Sequence, residues 1–266
     1  IKGITDKKWY QERGCKFWDE WANPYAVAQN FIPEDIAKII AVPLGGSKKE
    51  ADEAEKRTKK NTNDLGPIYG YQWRNFGKHY KKECTNYGLN MIYYPSTETG
   101  NGLIEGFDQL QSIVDKLKSN PYDRRMVCSA WNPNQMDMMA LPPCHYAWNV
   151  VVYGNKLNLI WHQRSCDLLL GVGSNIASYG LLLLLLCEES GLEPGELVGT
   201  LADCHIYENH LDAGIELSKR EENQLPQVKI KRKEDGTFSI FNWTYDQVEL
   251  IGYNPHKKLN IGTVTV

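Results

Sequence analysis

The sequence predicts an α+β fold, in which a mostly antiparallel or mixed sheet is covered by long buried helices. Three observations carry that expectation. Strand-like runs stand at 125–131, 146–153 and 156–165, and Tyr153-Gly154-Asn155-Lys156 joins the last two as a hairpin turn. A buried helix is expected at 176–189, where six consecutive leucines lie between Tyr179 and Cys187, with Gly191 as its stop. Apolar residues recur at helical spacing over 103–118, with Pro121 beyond the end. Antiparallel strands carrying long buried helices define the α+β class.

Taken in order, residues 1–21 read as a short helix, a turn at Gly14 and an aromatic-acidic patch. The character changes over 22–63. A short apolar helix after Pro33-Glu34-Asp35 is followed by a charge-rich, solvated stretch, so this segment reads as a peripheral insertion. Core texture returns at Asp64-Leu65-Gly66-Pro67-Ile68-Tyr69-Gly70. After the buried helix, 197–210 predicts a strand, a turn and a helix start, and two final strands flank the turn at 233–236. One catalytic domain with one insertion is the expected organisation, and the chain is long enough for a single large core.

Composition narrows the function classes. Of 266 residues, 42% are hydrophobic and 24% charged, and the formal net charge is -3. That balance points to a soluble globular protein without a nucleic-acid or membrane surface. Any anion site must then be a local cluster of arginines. The seven cysteines are odd in number and show no metal-ligand spacing. A reducing, cytoplasmic setting and no metal are therefore expected. The longest apolar run is too short to span a bilayer.

The chemistry concentrates in 137–179. Cys144 follows Pro142-Pro143 and precedes His145. A cysteine can be a small buried hydrophobe, but arginines in the same unit favour a nucleophile. His145, directly after Cys144 on a strand, points to the opposite face, which gives it a packing role. Arg124, Arg125, Arg164 and Ser165 form the anion candidates, because guanidinium forks and a hydroxyl suit a phosphate monoester; Arg124-Arg125 could equally be an exposed basic pair. Asn175 can pair with adjacent carbonyl and N–H groups of a pyrimidine, or cap the helix it opens, or do both. Asp203, His205 and Tyr207 alternate as on one strand face, suited to sugar hydroxyls or to a buried polar network. Trp18 and Trp21 offer a stacking shelf or core aromatics.

At these residues the chain resembles the thymidylate synthase superfamily from Gly3 to its end, apart from the insertion. The matching stretches are FWDEWA (17–22), DLGPIYGYQWR (64–74), DRRMVCSAWNP (123–133), MALPPCH (139–145), QRSCDLLLG (163–171), NIASY (175–179), DCHIYENH (203–210) and GYNP (252–255). The resemblance implies that Cys144 adds to C6 of dUMP, making C5 a carbon nucleophile. Gln163, Arg164 and Ser165 would contact the nucleotide, with Arg164 and Ser165 on its 5′-phosphate. Arg124 and Arg125 would reach the phosphate from the partner subunit, so a homodimer formed through the sheet is implied. Asn175 would read the uracil O4/N3 edge, where cytosine-specific relatives carry Asp. His205 and Tyr207 would hold the 3′-hydroxyl, and Tyr69 would sit near the nucleophile. Asp167 would bond the pterin of 5,10-methylenetetrahydrofolate, with Trp18, Trp21, Gly171 and Ser174 along the folate. The tail to Val266 would fold over the folate as a lid.

The departures gather near the folate. Gly173-Ser174 stand where the family has Pro-Phe, Asn149 replaces a usual Gln, and His162 replaces an aromatic. A more polar pocket is what a hydroxymethylase needs, where water traps the methylene to give 5-hydroxymethyl-dUMP. Synthase and hydroxymethylase are thus nearly balanced, with synthase ahead on the overall match. The family's general-base Glu and one phosphate-binding Arg precede the segment matching Gly3, so a missing N-terminal segment is expected. A catalytically inactive binding homologue is the non-enzymatic alternative.

Overall fold

The computed structural model describes residues 2, 4–13, 65–78, 80 and 106–261. The 22–63 insertion, Trp18, Trp21 and the tail through Val266 lie outside the described residues. The chain forms two compact units, one from 1–109 with 129–143 and the other from 110–128 with 144–266.

In the first unit, helix α1 (Lys7–Gln11) starts where the Asp6 carboxylate accepts from the Lys8 N–H at 2.8 Å. Helix α2 (Gly70–Asn75) follows a small core of Leu65, Ile68 and Met139, against which Tyr10, Tyr69 and Met136 pack. Buried Gln72 donates to the Pro67 carbonyl at 2.7 Å and to Gln135 Oε1 at 2.6 Å, which satisfies the amide away from water. The helix expected from 103 begins later, at Gln109. The cause is local: Phe107 exchanges two backbone hydrogen bonds with Phe76 as an extended bridge, and Asp108 pairs with Arg74 at 2.7 Å.

The second unit is built on a four-stranded sheet in the order β1 (Val127–Ser129), β2 (His145–Tyr153), β3 (Lys156–Asp167), β4 (Glu193–His205). Strands β2 and β3 form the expected antiparallel hairpin, with Gly154 at φ 58 in its turn. Strand β4 runs parallel to β3, so the sheet is mixed. A parallel neighbour requires a crossover, and helix α4 (Val172–Ser190) supplies it, packed on β3 and β4. Alternation turns Trp148, Val150 and Val152 of β2, and Leu157, Leu159 and Trp161 of β3, into the core. Tyr179, Leu182, Leu183 and Leu186 of α4 are buried there too. By length and composition α4 could cross a membrane, but these contacts make it the core helix of this unit. It ends at Gly191 (φ 74), whose N–H bonds the Cys187 carbonyl.

Helix α3 (Gln109–Ser119) precedes β1, and helix α5 (Leu211–Ser218) follows β4. The last two strands, β5 (Gln227–Ile230) and β6 (Val248–Ile251), pair antiparallel. They flank the turn at 233–236 more widely than a tight hairpin, because 231–247 includes a second turn with its own capping box at Thr244 and Gln247.

Candidate active site

Cys144 stands half-buried immediately before β2, and its carbonyl accepts from the Arg164 N–H at 2.9 Å. That bond fixes the thiol-bearing residue beside the candidate anion pair Arg164-Ser165. Register then continues the patch across the sheet: Ser165 pairs with Asp203 and Asp167 with His205. Cys144, Arg164, Ser165, Asp167 and His205 are thereby brought to one end of the sheet by backbone pairing alone.

His145 opens β2 opposite Gln163, and a bulge between His145 and Ala147 leaves it on the face that α4 covers. Its ring is enclosed beneath β2, Nδ1 lies 2.8 Å from the Tyr179 hydroxyl, and burial pushes its pKa down to about 4. The imidazole is therefore neutral, in keeping with a packing role. Tyr179 in turn stacks on Trp161, with centroids 5.5 Å apart and an interplanar angle of 11°.

Asn175 lies in the first turn of α4, three residues beyond Val172. The helix begins earlier than the 176 expected from sequence, with Gly171 as N-cap, so Asn175 is not the cap. Its Oδ1 instead accepts from Gln163 Nε2 at 3.0 Å. Gln163 Nε2 also donates to the Ser165 carbonyl at 3.0 Å, and Gln163 Oε1 accepts from Trp161 Nε1 at 3.2 Å. Gln163 is buried at 3% exposure, so each of these bonds replaces one lost to water.

Asp167 closes β3 and shapes the turn into α4. Its Oδ1 accepts from the N–H groups of Leu169 and Leu170 at 3.0 and 3.2 Å. At the end of β4, Asp203 Oδ1 lies 3.4 Å from His205 Nδ1, and the rings of His205 and Tyr207 meet edge-on at 5.2 Å. The expected trio is thus assembled, although Tyr207 lies just past the strand. Gly171 and exposed Ser174 flank the N-terminus of α4.

Arg124 and Arg125 are exposed on the loop between α3 and β1; Arg125 lies 3.8 Å from Asp123. Tyr69 belongs to the first unit. It is the only non-glycine at positive φ among the described residues (φ 33), a strained conformation of the kind that collects at functional sites. Among the described residues, no group of three or more His, Cys, Asp or Glu is arranged to hold a metal ion. Cys166, Cys187 and Cys204 are free thiols. Sequence reading missed Trp161 and Tyr179. The alternation of β3 was the available signal, since it sets Trp161 and Gln163 on one face.

A sequence model of the family described as thymidylate synthase matches residues 1–265. The chain belongs to the thymidylate synthase family. Among its relatives, the thymidylate synthase of Saccharomyces cerevisiae is 36% identical over 270 residues, covering 98% of this chain and 75% of that protein. The thymidylate synthase of Mycoplasma genitalium is 36% identical over 257 residues, covering 96% of this chain and 75% of that protein. The bifunctional dihydrofolate reductase-thymidylate synthase of Paramecium tetraurelia is also 36% identical, over 98% of this chain but only 47% of that protein. The chain therefore spans about half of the bifunctional relative and three quarters of the other two. Membership makes this chain an enzyme of the methyltransferase class.

Proposed function

We propose that this chain transfers the one-carbon unit of 5,10-methylenetetrahydrofolate to C5 of dUMP, giving dTMP and dihydrofolate. Membership of the thymidylate synthase family carries this reading, and the backbone pairing that sets Cys144 beside Arg164-Ser165 supports it. The Cys144 thiolate forms a bond to C6 of the pyrimidine, and the C5–C6 electron pair moves onto C5 and O4. C5 then bonds the folate methylene as its bond to N10 opens. Loss of the C5 proton breaks the remaining bond to N5 and leaves a methylene on C5. Hydride from the tetrahydrofolate reduces it to a methyl as the thiolate leaves C6, and dTMP and dihydrofolate result. A neutral uracil C5 is a poor nucleophile, so the covalent step is what makes the chemistry accessible. The developing O4 charge needs a preorganised donor, and Asn175 Nδ2 is the candidate.

In this reading Arg164 and Ser165 hold the 5′-phosphate, and His205 and Tyr207 hold the 3′-hydroxyl. Asp167 meets the pterin through the carboxylate oxygen that does not cap the turn. Trp18, Trp21, Gly171, Ser174 and the tail to Val266 serve the folate side. Arg124 and Arg125 complete the phosphate site of the partner in a cytoplasmic homodimer formed through the sheet. The face of that sheet turned away from α4 carries Tyr146 and Val198, exposed at 36% and 42%, which suits an isologous contact.

Gly173 and Ser174 leave the entrance of α4 open and polar, the observation that keeps water trapping in view. A product assay with dUMP and methylenetetrahydrofolate, reading nucleotide mass and folate oxidation state together, decides the outcome. dTMP with dihydrofolate is expected. Hydroxymethyl-dUMP with tetrahydrofolate would replace the synthase reading, and no turnover by an intact protein would favour a binding homologue.

A further inference from the structure

The amide of Gln163 sits among neighbours whose hydrogen-bonding roles are not interchangeable. The two ends of a carboxamide have nearly the same shape, so partners alone set its orientation. The indole N–H of Trp161 can only donate, and it faces Oε1 at 3.2 Å. The Ser165 carbonyl can only accept, and it faces Nε2 at 3.0 Å. One orientation remains, with Nε2 also directed at Asn175. Asn175 must then present Oδ1 to Gln163, because its own Nδ2 there would oppose a donor with a donor. Oδ1 keeps a second lone pair, and Nδ2 is directed elsewhere as a donor. That pairing matches a pyrimidine with a carbonyl at C4 and N–H at N3. Cytosine reverses both polarities and would need the opposite orientation of Asn175.

Trp161 is itself held in place. It is 4% exposed, stacks on Tyr179, and Tyr179 is anchored by His145. The opposing residue on β4 is Gly199, where a Cβ would lie 2.4 Å from the indole Cζ2, so the ring occupies space that only glycine leaves. We propose that Trp161 is a positioning residue for substrate selection: its indole N–H fixes Gln163, Gln163 fixes Asn175, and the site thereby takes a 4-carbonyl over a 4-amino pyrimidine nucleotide. The proposal rests on the reading that Asn175 meets the pyrimidine edge.

The test is binding of dUMP and dCMP to wild type, Trp161→Phe and Asn175→Asp. Phenylalanine keeps an aromatic ring against Tyr179 but removes the donor, leaving Gln163 Oε1 buried without it. The ratio of dCMP to dUMP dissociation constants is expected to fall about tenfold in Trp161→Phe, the Ser165 carbonyl retaining the rest of the preference. Loss of packing alone would weaken both ligands and leave the ratio unchanged. A ratio unchanged in Trp161→Phe, while Asn175→Asp moves preference toward dCMP, overturns the proposal and leaves the assignment of Asn175 standing. A preference unchanged in Asn175→Asp overturns that assignment and the proposal with it. Should Trp161→Phe fail to fold, proton exchange at the Trp161 indole in wild type decides. Protection comparable to core amides is expected, and exchange as fast as at exposed Trp131 overturns the proposal.

Discussion

Acidification should expose the contribution of His145 to stability. Burial lowers the imidazole pKa from 6.5 to about 4 in the folded chain, whereas in the unfolded chain it keeps its ordinary value. Between those two values the unfolded state binds a proton that the folded state refuses. Stability from this group is therefore complete above pH 6.5 and declines as pH falls toward 4. At about 1.36 kcal/mol per pKa unit the full effect is about 3 kcal/mol, of which roughly 2 kcal/mol is gone by about pH 4.5. Domains are commonly stable by about 5–15 kcal/mol, so such a loss is readily measured. The comparison is urea unfolding of wild type and His145→Gln at about pH 7 and pH 4.5, at one protein concentration. Glutamine can still bond the Tyr179 hydroxyl but does not titrate, so other groups cancel in the difference. Wild type should lose about 2 kcal/mol more than the variant. Equal losses in the two proteins would refute the argument that a buried neutral imidazole packs against Tyr179.

Further outcomes follow from the same geometry. Burial and the hydrogen bond to Cys204 push the Cys166 thiol up to about 11, and burial beside Glu188 pushes Cys187 up to about 12. Alkylation near pH 8, mapped by mass spectrometry, should therefore leave both unlabelled in the folded protein and label them after unfolding in urea, and ready labelling of either in the folded protein would contradict the packing. Gly199→Ala should displace the Trp161 indole and destabilise the fold by about 1–3 kcal/mol, seen in thermal unfolding and in tryptophan emission. Arg164→Ala should weaken dUMP binding by roughly ten- to a hundredfold through loss of a charge-assisted contact, while leaving deoxyuridine nearly unchanged. Equal weakening of both by calorimetry would remove Arg164 from the phosphate.

Much of the site was legible because it is built by chain-local pattern. Gly154 in a turn between two apolar runs announced the β2–β3 hairpin, and the register that followed carried Gln163 to Asp167 alongside Cys144. Gly191 marked the end of α4 for the same reason, since a left-handed residue closes a helix wherever it occurs. What sequence did not disclose depends on long-range partners. The start of α3 at Gln109 is set by Phe76 and Arg74, more than thirty residues away in the chain. For Asn175 the sequence leaves pyrimidine pairing and helix capping both open until Gln163 is seen to hold it. Trp161 reads as one more core aromatic until the direction of its N–H is known. The parallel placement of β4 was also out of reach, because its strand pattern is the same in either direction.

Covalent trapping tests the central claim most directly. The protein would be incubated with 5-fluoro-dUMP and methylenetetrahydrofolate, digested, and its peptides weighed. Fluorine at C5 cannot leave as a proton does, so the covalent complex should accumulate. The account predicts a nucleotide-folate adduct on the peptide that contains Cys144, lost in Cys144→Ala. An adduct on another residue, or none from a protein that binds both ligands, would contradict it.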